Sequence, residues 1–492
     1  MTDTATALTV APATRLRARW VALVFISIAQ LMVVFDASIM NIALPQAQSD
    51  LGFDDAARAW VITAYSLAFG ALLLLGGRVS DHIGRRKAFI IGLIGFGIAS
   101  ALGGLAPNIE MLVTARVLQG VFAALLAPAA LSLLSLTFPS GKERATAFGV
   151  FSAIAGAGGA IGLLLGGVLT EYATWRWTLL VNVAFAAAAI FGAIVYIRDS
   201  TNDRNHDRLD VIGTILASVG LAAVVFGFSS AETDGWAATV TLASFAVGIV
   251  LLIAFVIVEA RVANPLLPLR VVTDRNRGGA YLSSALAMAA NFTQFLFLTY
   301  YMQNILGFSP LLTGVAFLPL VICLIIGTTQ LGTRLIARVP ARWLMTGGYL
   351  VGAAGMLWLS RITVDNDYLT VVLPASIVMG LGIGTAFMCS MVLATTGVAG
   401  KDTGVASALV NTSQQVGGAV GTALMSTIAA GATAAFLTAN TDPSTAEASV
   451  TGYATAFVWA TGLLVLAAIV AGVMVRSRGT QTTDADLRVV GH

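Results

Sequence analysis

The chain has 492 residues, 10% of them charged and 58% hydrophobic, with a mean hydropathy of +0.88. Soluble domains carry roughly 25% charged and about 45–50% apolar residues, so a soluble enzyme, a nucleic-acid-binding domain and a disordered chain are excluded. A net charge of +3 over this length makes no basic patch for nucleic acid, and a polytopic membrane protein remains.

A helix crossing about 30 Å of hydrocarbon needs roughly 20 apolar residues. Fourteen such stretches are read, near 20–44, 57–77, 88–106, 109–137, 144–170, 176–197, 210–231, 237–259, 277–303, 310–333, 342–361, 369–394, 402–432 and 451–475. The runs are too long and too continuously apolar for the alternating strands of a membrane barrel. The first ends at Pro45 with no small-residue cleavage site, so it is expected to be a retained span.

Span one holds Phe35-Asp36-Ala37-Ser38-Ile39-Met40-Asn41-Ile42-Ala43-Leu44-Pro45. An ionised carboxylate in hydrocarbon costs several kcal/mol unless it faces a wet cavity, pairs with a cation or is neutralised. A carboxylate so placed can take up a proton on one side and release it on the other. A static ion pair that only orders helices is the plainer alternative. The loop after span two reads Gly77-Arg78-Val79-Ser80-Asp81-His82-Ile83-Gly84-Arg85-Arg86-Lys87. Its glycines allow a tight turn, Asp81 and Arg85 are spaced to pair on a helix, and its basic residues also serve as a topology anchor. Span four carries Arg116 within Leu112–Gly120. Asp36 lies about nine residues, or roughly 13 Å, below the outer end of its span, and Arg116 about seven residues, or roughly 10 Å, below its own. These two ionisable groups are expected to face one cavity and to influence each other's titration.

In span five, Gly158, Gly162 and Gly166 recur every fourth residue, with Gly167 beside them. Such a smooth stripe suits either static close packing or a sliding gate between halves. Gly417 and Gly421 repeat the pattern in span thirteen. Two polar stretches, 198–210 and 259–277, then divide the spans into six, two and six. The expected organisation is an amino-terminal half over 1–198, two additional spans within 199–276, and a carboxy-terminal half with a tail over 277–492. Paired halves around a central path are a recurring transporter plan. The middle spans have no ionisable residue in their cores and read as a peripheral hairpin facing lipid.

Gln30, Asn41, Asn291, Gln294, Asn411 and Gln415, with the aromatic Phe295, are the candidate substrate-binding residues. An apolar, aromatic cavity with a few polar groups suits a lipophilic ligand, whereas a sugar would need many more hydrogen-bonding side chains. Hydrogen bonding between helices is the alternative for each amide. Cys323 and Cys389 lie in apolar runs, and His82, His206 and His492 lie outside them. No metal site, cofactor or catalytic residue is expected, and no phosphate-binding loop is present. With the amino terminus inside, 23 of the 27 Lys and Arg residues fall on the inside, against Arg58, Arg176 and Arg361 outside. Both termini are therefore expected to be cytoplasmic.

These segments together resemble the major facilitator superfamily, and more closely its fourteen-helix drug:proton antiporters of the EmrB/QacA type. The resemblance covers nearly all of residues 15–478. Gly77, Asp81, Gly84, Arg85 and Arg86 match the signature loop, Leu112–Gly120 the span-four motif, and Phe35–Pro45 the span-one motif, with Ser38 where threonine is usual. Trp175-Arg176-Trp177 with Asn182, and Pro265-Leu266-Leu267-Pro268-Leu269, also fit. Gly158, Gly162, Gly166 and Gly167 match the antiporter motif of span five, but Leu163 stands in place of its proline, and Ala184 replaces a proline common after Asn182.

The resemblance implies an all-α major facilitator fold in a bacterial cytoplasmic membrane, working as a monomer among membrane lipids. It implies export of small lipophilic, often cationic compounds in exchange for protons. Asp36 and Arg116 would couple to the proton, while the signature loop and the span-five glycines gate. The rival within the same fold is an exporter or symporter of a metabolite or lipid, favoured by Leu163. A membrane enzyme or sensor is the more distant rival, opposed by the lack of a sizeable soluble domain or histidine cluster.

Overall fold

A computed structural model describes residues 12–138, 141–197, 210–262, 265, 267, 269–336, 338–395, 403–440 and 444–476. His206, Leu266, Pro268 and His492, singled out above, lie outside the described residues, as do Arg198, Arg204, Arg208, Lys401, Arg478 and Arg488 among the basic residues counted to the inside. The first half is built from α1 (Pro12–Leu51), α2 (Asp55–Ile83), α3 (Arg85–Gly104), α4 (Ile109–Thr137), α5 (Gly141–Tyr172) and α6 (Trp177–Tyr196). A hairpin of α7 (Val211–Thr233) and α8 (Thr239–Glu259) follows, then the short α9 (Leu269–Val272). The second half comprises α10 (Arg275–Tyr300), α11 (Pro310–Ala316), α12 (Leu318–Ile326), α13 (Thr333–Ile336), α14 (Ala341–Leu359), α15 (Leu373–Thr395), α16 (Thr403–Ala439) and α17 (Thr445–Met474). Among the described residues, twelve helical runs are long and apolar enough to cross a membrane.

 Their ends are set by local chemistry. Asp54, Asn108, Asp274, Ser309 and Ser444 each accept from the amide three residues on, at 2.8–3.2 Å, at the starts of α2, α4, α10, α11 and α17. Gly84, with φ +99°, turns the chain from α2 into α3 in a region that side chains disfavour.

The run from α11 to α13 is one kinked span. Pro319 sits at its first break, and a π-helical turn over Gly327–Gly332 makes the second.

The two halves repeat one arrangement. In the first, α1 packs on α5 and α6, α4 on α2 and α3, and α3 on α6. In the second, α10 packs on α16 and α17, α15 on α12 and α14, and α14 (Ala341–Leu359) on α17. The hairpin is attached at the seam between them, since α7 packs against both α2 and α16. Its α8 exposes Val240, Leu242, Val247, Val250, Ile253 and Val256. That apolar face suits lipid, as expected for a peripheral hairpin, but α7 is a joint between the halves.

Among the described residues, the seam is closed at one end. Opposite the α2–α3 loop, Ile42, Leu44, Val61, Leu163 and Trp175 join Phe297, Tyr300, Tyr301 and Phe317 in a single core. Towards the α2–α3 loop the halves part around a cavity of about 590 Å³.

Candidate transport site

Asp36 and Arg116 meet. The Arg116 Nη1 donates to Asp36 Oδ2 at 2.6 Å, and the two residues are 1% and 0% exposed. The carboxylate is held by more than its cation. Its Oδ1 accepts from Gln119 Nε2 at 3.0 Å and from Asn182 Nδ2 at 2.6 Å. Arg116 also donates through Nε to the Val61 carbonyl at 3.0 Å and through Nη1 to Gln119 Oε1 at 2.9 Å. Gln119 Nε2 reaches Ser100 Oγ at 2.8 Å. Helices α1, α2, α3, α4 and α6 thus all contribute to one buried cluster. Charged hydrogen bonds of this kind offset the cost of burying both ions.

Gln119 was legible in part: three residues after Arg116, it lies on the same face of α4. Asn182 was legible only through its family motif. Ser100 and Tyr65 had no signal, because nothing in their spacing says which neighbouring helix they meet. Tyr65 lies beneath Arg116, whose Cζ is 4.5 Å from the ring centre.

The cavity lies beside this cluster, between the halves. Gln30, Val33, Val34, Ala37 and Ser38 of α1, with Tyr65 and Phe69 of α2, form one wall. Met288 and Phe292 of α10 and Asn411, Gln414 and Gln415 of α16 form the other. Of the expected substrate residues, Gln30, Asn411 and Gln415 line it. Asn41, Asn291, Gln294 and Phe295 are not in its lining. Asn41 donates to the Ala37 carbonyl one turn back at 3.1 Å, and Phe295 packs on Phe317 with ring centres 5.0 Å apart. Gln294 is wholly buried, and Asn291 Nδ2 turns to Met288 Sδ at 3.8 Å. For Asn291 and Gln294 the physical reason is helix phase, since Met288 and Phe292, one turn apart, present the cavity-facing side of α10; Phe295 and Asn41 share the face of lining residues but lie further along their helices, towards the closed end.

Gly77, Arg78 and Asp81 line the mouth. Asp81 accepts from Arg85 Nε at 3.1 Å across the Gly84 turn. Arg86 donates to the carbonyls of Ala193 and Ile194, at 3.1 and 2.9 Å, satisfying the end of α6. Arg78 Nη2 donates to the Pro265 carbonyl, tying the loop to the segment after the hairpin.

The span-five glycines divide between two partners. A side chain at Gly158, Gly162 or Gly166 would meet Val34, Phe35 or Ile39 of α1, within the same half. The expected gating surface between halves is met instead at Gly167, against Pro310 and Leu311 of α11, and at Leu163, whose carbonyl faces Gly314. Helix phase again explains the split: the four-residue stripe faces α1, and residues offset from it face the other half. Gly417 and Gly421 likewise pack on Ala285 and Ala289 of α10, within their own half.

Two helical bundles around a central cavity, with a buried ion pair beside it, make the arrangement of a membrane transporter. The chain matches the Major Facilitator Superfamily over residues 26–422, and it belongs to that family. It is a multi-pass protein of the bacterial cytoplasmic membrane. It is 50% identical to the puromycin resistance protein pur8 of Streptomyces alboniger, over 95% of this chain and 93% of that one. It is 39% identical to the cephamycin export protein CmcT of Amycolatopsis lactamdurans, over 83% and 84% of the two chains. The tetracenomycin C resistance and export protein of Streptomyces glaucescens is 31% identical, over 85% and 78%. Among solved structures, the POT family transporter PepTSo superposes with a TM-score of 0.69 at 14% identity, over 93% and 98%. A bacterial homolog to the human lysosomal transporter Spinster, inward-facing and unoccupied, gives 0.67 at 17% identity, over 93% and 97%. Both likenesses are of fold.

Proposed function

We propose that this protein exports small antibiotic molecules in exchange for protons, by alternating access between its two halves. The observation that carries the reading is the buried Asp36–Arg116 pair set in the wall beside a cavity open at one end. The names of its relatives support antibiotic efflux, and puromycin is the first compound to test. In this reading α5 (Gly141–Tyr172) and α14 (Ala341–Leu359) also cross the membrane, giving fourteen spans with both termini cytoplasmic. The basic α2–α3 end then faces the cytoplasm, and the cavity is open inward.

The cycle follows from the site. Substrate enters the cavity from the cytoplasm and favours the state in which Asp36 is held by Arg116, Gln119 and Asn182. The halves rock, the far end opens, and substrate leaves. Asp36 then takes up a proton from outside, which breaks its pair with Arg116. Return to the inward-open arrangement brings that proton to the cytoplasmic side, where the next substrate re-forms the pair and releases it. Gln30, Asn411 and Gln415 hold the substrate's polar groups, and Tyr65, Phe69 and Phe292 its apolar body. Asp81 and Arg85 shape the inner mouth, and Gly167 and Leu163 the surface on which the halves move.

Proteoliposomes with an acid interior test this. They are expected to accumulate labelled puromycin only while the pH gradient lasts, and Asp36→Asn is expected to abolish that accumulation. Uptake independent of the gradient, or an unimpaired Asp36→Asn, would sink the proton role.

A further inference from the structure

We infer that Tyr65 couples occupation of the substrate cavity to the buried Asp36–Arg116 pair, a role that rests on the antiport reading above. The Tyr65 side chain touches three things at once. It forms part of the cavity wall. Its ring lies under the Arg116 guanidinium, 4.5 Å from centre to Cζ. Its hydroxyl donates to the Val33 carbonyl at 3.3 Å, three residues before Asp36 on α1. Arg116 is in turn anchored to the Val61 carbonyl, one turn before Tyr65 on α2.

The electron-rich face of the ring stabilises the guanidinium in a site that excludes water. Asp36 has no exposed surface, so a ligand in the cavity does not touch it directly. Tyr65 and Phe69 pack with ring centres 5.8 Å apart and both line the cavity. A ligand seated against them holds the Tyr65 ring beneath Arg116, favours the Asp36–Arg116 pair over protonated Asp36, and so displaces the proton. Tyr65 is therefore a positioning residue, acting through its ring and its grip on α1, with no proton of its own transferred.

The test measures proton release and puromycin binding together, on purified full-length protein in weakly buffered detergent solution. Wild type is expected to release protons as puromycin binds. In Tyr65→Leu, release per bound puromycin is expected to fall by about fivefold or more, while the dissociation constant rises by no more than about tenfold, the equivalent of one lost contact. Tyr65→Phe keeps the ring and is expected to keep most of the release. A wild type that binds puromycin without releasing protons overturns the antiport reading itself. A wild type that releases them, with Tyr65→Leu releasing as many, overturns the Tyr65 inference alone. Tyr65→Met, closer in length and flexible enough to fill the gap, decides the matter if the leucine variant does not fold: full release from that ringless side chain overturns the inference. Loss of release in Tyr65→Phe as complete as in Tyr65→Leu overturns its assignment to the ring.

Discussion

At the scale of single residues, the cost of a buried charge decides what surrounds it. Asp36 is satisfied by Arg116, Gln119 and Asn182 together, so no one of them is expendable. A hydrogen bond to a charged group contributes about 1.5–3 kcal/mol. Gln119→Ala is therefore expected to lower the thermal unfolding midpoint of the purified protein and to slow gradient-driven puromycin efflux by about tenfold or more. Normal efflux in a Gln119→Ala variant present at wild-type amounts would show that Arg116 and Asn182 suffice. The pair itself was legible from depth along two apolar spans. The donors completing it were legible only where they shared a helix face with Arg116, because facing between helices is not written in spacing along one of them.

At the scale of helices, glycine sets how near two axes come. A side chain at Gly162 would lie 2.8 Å from the Phe35 carbonyl oxygen and 3.0 Å from the Phe35 Cα, one residue before Asp36. Backbone cannot yield as a side chain can, so Gly162→Ala must push α5 from α1. Overpacking of this kind costs about 1–3 kcal/mol. Gly162→Ala is expected to lower the unfolding midpoint and impair efflux, whereas Gly431→Ala, with nothing within 4 Å, leaves both unchanged. Equal behaviour of the two variants would remove the close-approach account. The stripe was visible in sequence as a run of small residues. Its partner was not: the same spacing serves a gate or a fixed joint, and the structure puts three of the four motif glycines on the joint.

For the whole molecule, the closed end of the seam is the feature to test. Arg58 of α2 is buried under aromatic rings of α10, with its Cζ 4.4 Å from the centre of Tyr300 and 5.7 Å from that of Phe297. Tyr300 donates to Gln48 Oε1 at 2.6 Å, and Gln303 Nε2 to the Ile42 carbonyl at 3.0 Å. A desolvated cation–π contact is worth about 2 kcal/mol, enough to move a two-state balance by more than tenfold. Arg58→Gln and Tyr300→Leu are expected to favour opening at that end. A single cysteine at Ser38, in a background with Cys323 and Cys389 replaced by serine, is then labelled faster by an impermeant maleimide added outside cells. Unchanged labelling in correctly inserted variants would rule out these contacts as a latch.

Charge scarcity and apolar run length follow from the cost of placing groups in hydrocarbon. That cost is local to each residue, so sequence alone determined a helical membrane protein and its two deepest ions. Which helix face meets which neighbour depends on packing between distant segments. Only the tertiary structure decided that Met288 and Phe292, rather than Asn291 and Gln294, face the cavity. It alone placed α7 across the seam, and set the Tyr65 ring between the cavity and the ion pair.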